Sequence, residues 1–520
     1  MRRSIPVFFA FMLMFSVVIM RLWSLMVRDS KEISSTSGSI TVNVGSSRGN
    51  IYDRDKKLFV NEAQKNVAVV LPTREALPIL KDAAAESDFE KALEKLSKGY
   101  PAVVTVADAV FANGLLNVKV PERYSGEFLI PHIAGYCDSE GKGVCGIEKS
   151  FEPVLKELKY SVTLRVDANG RILCGAEERV NDEGIMNKRG VVLTIKKEYQ
   201  EIVRRHMKNA KIKQGAAVLL DAKTGEILSM VSLPEFDIAH LESDLKSDRA
   251  PFVNRALTAV SVGSVYKTVV AAAALESGIK ENFLYECTGK TTQSGVDFHC
   301  HNRSGHGELD MRDALLNSCN TWFINMSKNI DVSEIIELSC YMGLGTETYL
   351  ADHLTGDKGI VPDESELDSD AARANIAFGQ GRLTASPLQI AAMTAVFANH
   401  GIYTEPKLII STIDTDGKET FTGKAFSQRV ISQKTADKVK EMMVYCSEGT
   451  KMMTYKDCGG KTATAENGAV IEGKEQYNTW YSGFFPAENP RYVLTVFFEN
   501  GNSGATDCIP VFESIAKEIK

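Results

Sequence analysis

The sequence predicts an α+β domain over its C-terminal part, because strand-like segments lie at both ends of that part and helices lie between them. Residues 216–221 form a largely apolar segment, a turn follows over 221–225, and residues 226–231 form a second largely apolar segment, which is the pattern of a β-hairpin. Strand-like segments return at 482–485 and 492–499, close to the C-terminus. This order is typical of a domain whose terminal strands share one sheet.

Helices are predicted between these strands and after the last of them. An alanine-rich segment, 271–274, lies inside the first helix, and Pro387 occupies the first turn of another, where its missing N–H costs no hydrogen bond. The four predicted helices cover residues 263–278, 315–328, 384–399 and 511–520.

The bulk composition fits two or three globular domains and excludes one class of partner. The chain has 520 residues, of which 44% are hydrophobic and 24% charged. The formal net charge is −7, so nothing favours binding to nucleic acid. The composition changes near residue 213, which predicts three parts, namely residues 1–28, 29–212 and 213–520.

The N-terminal segment predicts a single membrane-spanning helix. Arg2 and Arg3 precede a mostly apolar run over residues 5–20, which resumes after Arg21 and extends to residue 27. A span needs about 20 residues, with a lower limit near 17, so the run suffices if Arg21 reaches the outer interface. The positive-inside rule then leaves the N-terminal arginines in the cytoplasm and nearly all of the chain outside it. A cleaved signal peptide is the alternative, although no Ala-x-Ala-like site follows.

The ten cysteines do not form the dense pattern of a disulfide scaffold. Cys287 and Cys300 flank a polar loop and are the pair that the sequence favours for a disulfide, the alternative being that the thiols stay reduced. The loop also contains His299 and His301, but their spacing around Cys300 suits tetrahedral zinc poorly. The sequence therefore predicts no metal site and no cofactor.

The first candidate catalytic motif is Ser264-Val265-Tyr266-Lys267, at the start of the alanine-rich helix. Positions three apart on a helix share a face, so Lys267 lies within reach of the Ser264 hydroxyl. A serine at a helix N-terminus also lies at the positive end of the helix dipole, which favours developing negative charge. Taken alone, the motif would equally fit a capping serine.

The second candidate motif is Ser318-Cys319-Asn320. Its serine and asparagine are two positions apart, so in a loop both side chains can point into one cleft. Taken alone, this motif would equally fit an ordinary polar turn.

The third candidate motif follows two glycines at 459–460, which let the backbone approach another group closely. On a strand, Lys461 and Ala463 would share one face, and Thr462 and Thr464 would share the other. The edge of such a strand is suited to form one wall of a cleft.

The three motifs in this order match the Ser-x-x-Lys, second serine-containing and Lys-Thr-Gly set of penicillin-binding proteins and serine β-lactamases. The chain resembles a class B penicillin-binding protein over most of its length. The resemblance extends to residues 48–54, 146–151, 254–256, 379–381, 383–389 and 480–484.

This resemblance implies a particular architecture. A penicillin-binding, serine β-lactamase-like transpeptidase domain, with an antiparallel sheet flanked by helices, is expected over 213–520. An elongated N-terminal pedestal domain is expected over 29–212, and a transmembrane helix over 1–28.

The resemblance also implies a D,D-transpeptidase and a role for each motif residue. Ser264 is the expected nucleophile and Lys267 the general base, whose pKa should be depressed by burial and by the cation of Lys461. Ser318 is expected to relay a proton to the leaving amine. Asn320 is expected to hold the substrate amide and Lys267.

The third motif is the expected substrate-binding wall. Thr462 would bind the terminal carboxylate of the substrate, and the backbone N–H groups of Ser264 and Thr464 would form the oxyanion hole. Ala463 stands where the family has glycine. Two interpretations stay open: the strand accommodates the methyl group, or the methyl group crowds the cleft and weakens acylation by β-lactams.

The partners implied by the resemblance are peptidoglycan stem peptides, as D-Ala-D-Ala donors and amine acceptors, and β-lactams as inhibitors. A multi-pass glycan polymerase is the expected protein partner. The catalytic domain is expected outside the cytoplasm, on a single-pass anchor in the cytoplasmic membrane.

Two other functions stay as alternatives. A serine β-lactamase of class A would need a deacylating glutamate, and no Glu-x-x-x-Asn lies between Ser318 and Lys461. A β-lactam sensor or a non-catalytic wall-assembly scaffold would keep the site without the reaction.

Overall fold

The computed structural model describes residues 4–24, 38–73, 76–110, 114–156, 158–166, 179–181, 188–471 and 473–519. The chain forms two compact units, each built from several segments. The first unit comprises Met1–Arg48, Ala63–Arg123 and Glu157–Asn187, and the second comprises Gly49–Glu62, Tyr124–Lys156 and Lys188–Lys520. Segments of the predicted 29–212 domain occur in both units, and the boundaries of that domain stay a prediction.

The first unit begins with a helix, Ser4–Ser24, whose large apolar side chains from Phe8 to Trp23 are exposed. None of the helices in the described part of the chain combines the length and the hydropathy of a membrane span. The anchor over residues 1–28 stays a prediction, and residues 1–3 and 25–28 lie outside the described residues.

Two three-stranded antiparallel sheets complete the first unit. One contains, in spatial order, Gly38–Ser47, Leu158–Val166 and Arg179–Asn181, and the other contains Ala102–Val106, Ala63–Val70 and Leu115–Glu122. Helices Ala76–Ala83 and Glu86–Ser97 bury Leu80 and Leu96 in one apolar cluster with residues of the second sheet.

The second unit is built on a five-stranded antiparallel sheet. Its spatial order is Ile227–Leu233, Gly215–Asp221, Tyr492–Gly501, Lys474–Phe485 and Gly459–Ile471. The first and last parts of the predicted domain therefore pair directly, with Tyr492 opposite Asp221. This pairing confirms the prediction of one shared sheet, and it leaves Gly459–Ile471, hereafter the edge strand, at its margin.

Side chains alternate along each strand, and the strand Gly215–Asp221 is buried on both faces of the sheet. Val218 belongs to the cluster that contains helices Lys267–Glu276 and Pro387–Ala398. Leu219, its neighbour, belongs to the cluster that contains helices Lys197–Asn209 and Ile509–Ile519. The sheet is thus a middle layer between two helical layers, which confirms the α+β fold predicted for this part.

The predicted helix over 315–328 is interrupted, and this prediction was wrong in its continuity. Helix Met311–Leu316 ends before Ser318, and helix Asn320–Ser327 begins after it. Ser318 has a φ of 47°, in the left-handed region that no helical residue occupies. The break is what releases the Ser318 side chain from a helix face.

The second unit has further elements around this framework. A four-stranded sheet contains, in spatial order, Asn50–Tyr52, Gly190–Leu193, Ile409–Ile413 and Glu419–Phe421. The two-stranded pairs are Val260–Ser261 with Thr384–Ala385, Tyr285–Cys287 with Gly307–Leu309, Lys290–Gln293 with Val296–His299, Thr348–Ala351 with Leu354–Gly356, and Ile402–Thr404 with Ser427–Arg429. The other helical segments are Pro131–Ala134, Gly146–Ser150, Glu152–Leu155, Ile238–His240, Leu241–Leu245, Gly263–Tyr266, Val332–Tyr341, Glu364–Leu367, Asp370–Ala377, Gln433–Gly449 and Gly504–Asp507.

Candidate active site

Ser264 lies in a tight turn that leads directly into the alanine-rich helix. Gly263–Tyr266 form a 3₁₀ turn, and the α-helix Lys267–Glu276 continues from it. Side chains three apart eclipse each other in 3₁₀ geometry, so Ser264 and Lys267 project from one side of this turn. Ser264 is partly exposed, whereas Lys267 is fully buried beneath it.

Two glycines hold the start of this turn in place. Gly263 has a φ of +68°, and its N–H donates a hydrogen bond of 2.9 Å to the carbonyl oxygen of Gly379. Gly379 has a φ of +80°, and a Cβ added to it would lie 2.1 Å from the Gly263 carbonyl oxygen. The Gly-Gln-Gly segment at 379–381 therefore supports the nucleophile turn, because only glycine permits this contact.

The amine of Lys267 joins the first motif to the second. Its Nζ donates hydrogen bonds of 2.7 Å to the carbonyl oxygen of Ser318 and 2.7 Å to Oδ1 of Asn320, and it lies 3.2 Å from the hydroxyl of Ser318. A neutral amine has two N–H groups, which the two 2.7 Å contacts occupy. The nitrogen lone pair is then available to a hydroxyl group.

Burial lowers the pKa of both motif lysines, and the charge of Lys461 adds to this effect on Lys267. Burial first, and the positive charge of Lys461 second, hold the pKa of Lys267 well below its ordinary value. Burial lowers the pKa of Lys461 to about 8. The lowered pKa favours the neutral form of Lys267, which is suited to accept a proton, whereas Lys461 is still mostly protonated at neutral pH.

Asn320 is oriented from two sides. Its Oδ1 accepts from Lys267, and its Nδ2 donates a hydrogen bond of 3.2 Å to the carbonyl oxygen of His299. The left-handed backbone of Ser318 turns the chain so that its carbonyl and its hydroxyl both face Lys267. Strained residues of this kind are concentrated at functional sites, where surrounding contacts hold them.

The third motif lies beside the nucleophile turn. A Cβ added to Gly263 would lie 3.0 Å from the Cβ of Ala465 and 3.4 Å from the Cβ of Ala463. Lys461 is 3% exposed on the same face of the edge strand, and its Nζ donates a hydrogen bond of 3.0 Å to the carbonyl oxygen of Thr462. The structure thus brings the residues of all three motifs to one place.

The two threonines of the edge strand are more exposed than its lysine. Thr462 is partly buried, and Thr464 is exposed. The hydroxyl of Thr464 accepts a hydrogen bond of 3.3 Å from the N–H of Gly504, so its side chain faces the short helix Gly504–Asp507. The role predicted for the backbone N–H of Thr464 stays a prediction.

The methyl group of Ala463 points into the protein interior. Ala463 is 3% exposed and belongs to the apolar cluster beneath the sheet. Gly263, which has no side chain, leaves space opposite the methyl group. This position favours the interpretation that the strand accommodates alanine.

Sequence reasoning missed a cluster of four metal-ligating side chains next to the second motif. Cys287, Cys300, His306 and Cys319 place one ligand atom each within 4.8 Å of all the others. The favoured disulfide between Cys287 and Cys300 is absent, and all nine cysteines in the described ranges are free thiols; Cys174 lies outside those ranges. The signal was hidden because the four positions are separated by 12, 5 and 12 residues, which matches no compact motif.

Comparison with known proteins finds a family match and similar proteins over much of the chain. The family described as "Penicillin binding protein transpeptidase domain" matches residues 215–519. Stage V sporulation protein D of Bacillus subtilis is 27% identical over 514 residues, covering 91% of this chain and 77% of that protein. Penicillin-binding protein PbpB of Mycobacterium tuberculosis is 28% identical over 419 residues, covering 76% and 61%. Peptidoglycan D,D-transpeptidase FtsI of Escherichia coli K12 is 27% identical over 393 residues, covering 73% and 63%.

Solved structures share the fold. Penicillin-binding protein 3 from Mycobacterium tuberculosis, complexed with aztreonam, matches with a TM-score of 0.65 and 22% identity, covering 92% of this chain and 96% of that one. Penicillin-binding protein A from the same organism, as its penicillin G acyl-enzyme, matches with a TM-score of 0.67 and 20% identity, covering 91% and 100%. Because the family match covers more than half of the chain, this protein belongs to the penicillin-binding protein transpeptidase family, as the class B resemblance of its sequence predicts.

Proposed function

We propose that this protein is a peptidoglycan D,D-transpeptidase that cross-links cell-wall stem peptides through an acyl-enzyme on Ser264 and is inhibited by β-lactams. The observation that carries the proposal is the buried amine of Lys267, which lies one turn from Ser264 and is hydrogen-bonded to Ser318 and Asn320. A depressed lysine pKa next to a serine is the arrangement that activates a hydroxyl nucleophile at neutral pH.

Acylation would proceed by proton transfer from Ser264 to Lys267. The Ser264 oxygen attacks the carbonyl carbon between the two terminal D-alanines, while the Nζ lone pair of Lys267 takes the hydroxyl proton. The C–N bond then breaks, and the departing D-alanine amine takes a proton through the hydroxyl of Ser318, 3.2 Å from Nζ.

Transfer to the second stem peptide reverses these proton movements. The amine of the acceptor attacks the ester carbonyl and passes a proton to Lys267, and the ester oxygen leaves as the restored Ser264 hydroxyl. A β-lactam would acylate Ser264 in the same way, but the amine freed by ring opening stays attached to the acyl group and would block the acceptor amine, so this acyl-enzyme would be released slowly.

The edge strand would bind and polarise the substrate. The cation of Lys461 and the hydroxyl of Thr462 are suited to the terminal carboxylate, because they supply positive charge and a hydrogen-bond donor. The backbone N–H groups of Ser264 and Thr464 would stabilise the oxyanion, and losing one such donor typically costs about 10²–10³ in rate.

Labelling with fluorescent penicillin tests the proposal. Slow, stoichiometric labelling is expected, and it should disappear in Ser264→Ala. Ser514→Ala is the matched control, because Ser514 begins another Ser-x-x-Lys segment and is partly exposed like Ser264, but its hydroxyl donates a hydrogen bond within its own helix, to the Pro510 carbonyl. The labelled protein should also cross-link stem-peptide substrates, which is the activity that defines a transpeptidase.

The same experiment separates the alternatives. Rapid turnover of the label would indicate a serine β-lactamase. Labelling without cross-linking would indicate a β-lactam sensor, and no labelling at all would indicate a non-catalytic scaffold.

We also propose that the catalytic domain acts outside the cytoplasm, tethered by the N-terminal helix. The exposed apolar side chains of Ser4–Ser24 and the extracytoplasmic place of the peptidoglycan substrate support this location. Protease added to spheroplasts should digest the catalytic domain; protection until the membrane is lysed would contradict the location.

Residues 29–212 would act as a pedestal that meets a multi-pass glycan polymerase. The resemblance to class B proteins supports this partner, since a cross-linking enzyme needs newly made glycan strands. Affinity purification from detergent-solubilised membranes should recover a polymerase with the intact chain and lose it when residues 29–212 are replaced.

A further inference from the structure

Four buried or half-buried ligand groups converge at the second motif, to which Cys319 belongs. The sulfurs of Cys287 and Cys300 each lie 3.5 Å from Nδ1 of His306, and the sulfurs of Cys300 and Cys319 lie 3.9 Å apart. The three cysteines are buried, and the histidine is half-buried. We infer that these four side chains bind one zinc ion.

The spacing of the ligand atoms fits a tetrahedral ion. Zinc with Zn–S bonds near 2.3 Å and Zn–N bonds near 2.0–2.1 Å places two sulfurs about 3.8 Å apart, and a sulfur and a nitrogen about 3.6 Å apart. The observed sulfur–nitrogen and sulfur–sulfur distances agree with these values within a few tenths of an ångström. Three thiolates and one imidazole form a closed structural site, since all four positions of the ion are occupied by protein.

The surrounding backbone holds the four ligands in place. Cys287 ends a strand that pairs with Gly307–Leu309, and its carbonyl oxygen accepts a hydrogen bond of 3.0 Å from the N–H of His306. The N–H of Cys300 donates a hydrogen bond of 2.9 Å to the carbonyl oxygen of Gly289. The ligands are therefore positioned by main-chain contacts as well as by their own side chains.

Two glycines close the loop around the cluster. Gly289 has a φ of +92°, and a Cβ on it would lie 2.1 Å from the carbonyl oxygen of Arg303. Gly305 has a φ of +83°, and a Cβ on it would lie 2.2 Å from the carbonyl oxygen of Cys287. Any other residue at either position would displace the loop. The two glycines therefore hold the loop in the conformation that brings the four ligand groups together.

A disulfide does not account for the same cluster. The sulfurs of Cys300 and Cys319 are separated by nearly twice the length of an S–S bond, which is about 2.05 Å. Any one disulfide would also leave a third buried thiol facing His306. Zinc binding instead uses all four groups, and it involves no oxidation: each thiol loses its proton to solvent as its sulfur donates a lone pair to the ion.

The ion would position the catalytic residues on either side of Cys319. Ser318 and Asn320 flank this ligand, and both contact Lys267. Asn320 also donates to the carbonyl of His299, the residue before Cys300. Zinc would thus fix the strained Ser318 backbone from behind. This positioning role depends on the proposed transpeptidase function, whereas zinc binding itself does not.

Metal analysis of the full chain, purified under reducing conditions without added metal, tests the inference. About one zinc per chain is expected, and Cys300→Ser and His306→Ala should lose it. Cys340→Ser and His301→Ala are the matched controls: Cys340 is an exposed cysteine outside the cluster, and His301 lies in the same loop with its ring 4.9 Å from that of His306. Zinc lost equally from the controls, iron in place of zinc, or a metal-free chain with a Cys300–Cys319 disulfide would overturn the assignment.

Cobalt substitution tests the site in wild-type protein, so it remains informative if the variants fail to fold. Wild-type protein, stripped of metal with a chelator and given Co²⁺ alone, should show the strong visible and sulfur-to-metal charge-transfer absorption of tetrahedral thiolate-bound cobalt. Absence of these bands in protein that stays folded would overturn the site. Zinc restored to the stripped protein should also raise its melting temperature, because a ligand that binds only the folded state stabilises it.

Penicillin labelling before and after zinc removal tests the positioning role. Slower labelling of the zinc-free protein, restored by Zn²⁺, is expected; an unchanged rate would overturn that role. Absence of labelling in zinc-loaded wild type would instead count against the transpeptidase proposal and leave the zinc assignment standing.

Discussion

The floor and the wall of the active site are built in opposite ways. On the floor, Lys267, Ser318 and Asn320 hydrogen-bond to one another, and Asn320 is also held by the loop at His299. On the wall, the edge strand carries a single cation, Lys461, whose Nζ donates a hydrogen bond to the neighbouring carbonyl of Thr462.

This difference separates preorganisation from binding. The floor is arranged before any substrate arrives, because its polar groups satisfy one another in the interior. The wall is the outermost strand of the sheet, and it carries a buried cation and partly or fully exposed hydroxyl groups. A carboxylate can form an ion pair with the cation and accept hydrogen bonds from the hydroxyl groups. Changes on the floor should therefore affect the proton transfers of the chemical step. Changes on the wall should affect how well the negative charge of the substrate is stabilised.

Removing the floor amine should give the largest effect. Lys267→Met keeps most of the side-chain volume but removes the proton acceptor, and acylation by penicillin should fall by up to about 10⁴-fold. Stopped-flow or gel-based acylation rates measure this loss. Lys517→Met, at an exposed lysine of the Ser-x-x-Lys segment that begins at Ser514, should leave the rate unchanged. A loss of less than about tenfold in Lys267→Met would remove the general-base assignment, since such groups contribute 10²–10⁴-fold.

Removing the wall cation should give a smaller effect. Lys461→Gln should slow acylation about 10²-fold, the lower range for losing one electrostatic contact in the transition state. The matched control is Lys474→Gln, an exposed lysine at the start of the adjacent strand. If both variants lose the same amount, the wall has no specific role.

The pH profile should distinguish the two lysines. Lys461 is needed in its charged form, so activity should fall as pH rises through its pKa of about 8. In Lys461→Arg the guanidinium stays charged far above that pH. The alkaline fall in the activity of this variant should therefore lie outside the accessible pH range. In Lys461→Gln, loss of the nearby cation should raise the pKa of Lys267 and move the acid limb to higher pH. An alkaline limb unchanged in Lys461→Arg would contradict this assignment.

The smallest effect is expected at the position where the family has glycine. Because the methyl group of Ala463 is buried opposite Gly263, Ala463→Gly should change the acylation rate little and should lower the free energy of unfolding by about 0.5–1 kcal/mol. Denaturant titration and penicillin labelling measure the two effects, with Ala469→Gly, exposed on the same strand, as control. Markedly faster acylation in Ala463→Gly would revive the interpretation that the methyl group crowds the cleft.

Local patterns were enough to predict the sheet and the three motifs. The hairpin at 215–233 and the terminal strands are signalled by apolar runs and turns, which depend on neighbouring residues only. The helix break at Ser318 was not predicted, because the surrounding residues favour a continuous helix. The break is held by contacts from Lys267, which is 51 residues away.

The sequence by itself determined which segments form the strands of the C-terminal sheet, the three catalytic motifs and the family resemblance. All of these are properties of short segments. Only the tertiary structure decided that the edge strand lies beside the nucleophile turn, that both motif lysines are buried, and that three distant cysteines meet one histidine. The physical reason is that burial, pKa and ligand geometry depend on groups far apart in the chain, whose meeting is fixed by packing and not by spacing.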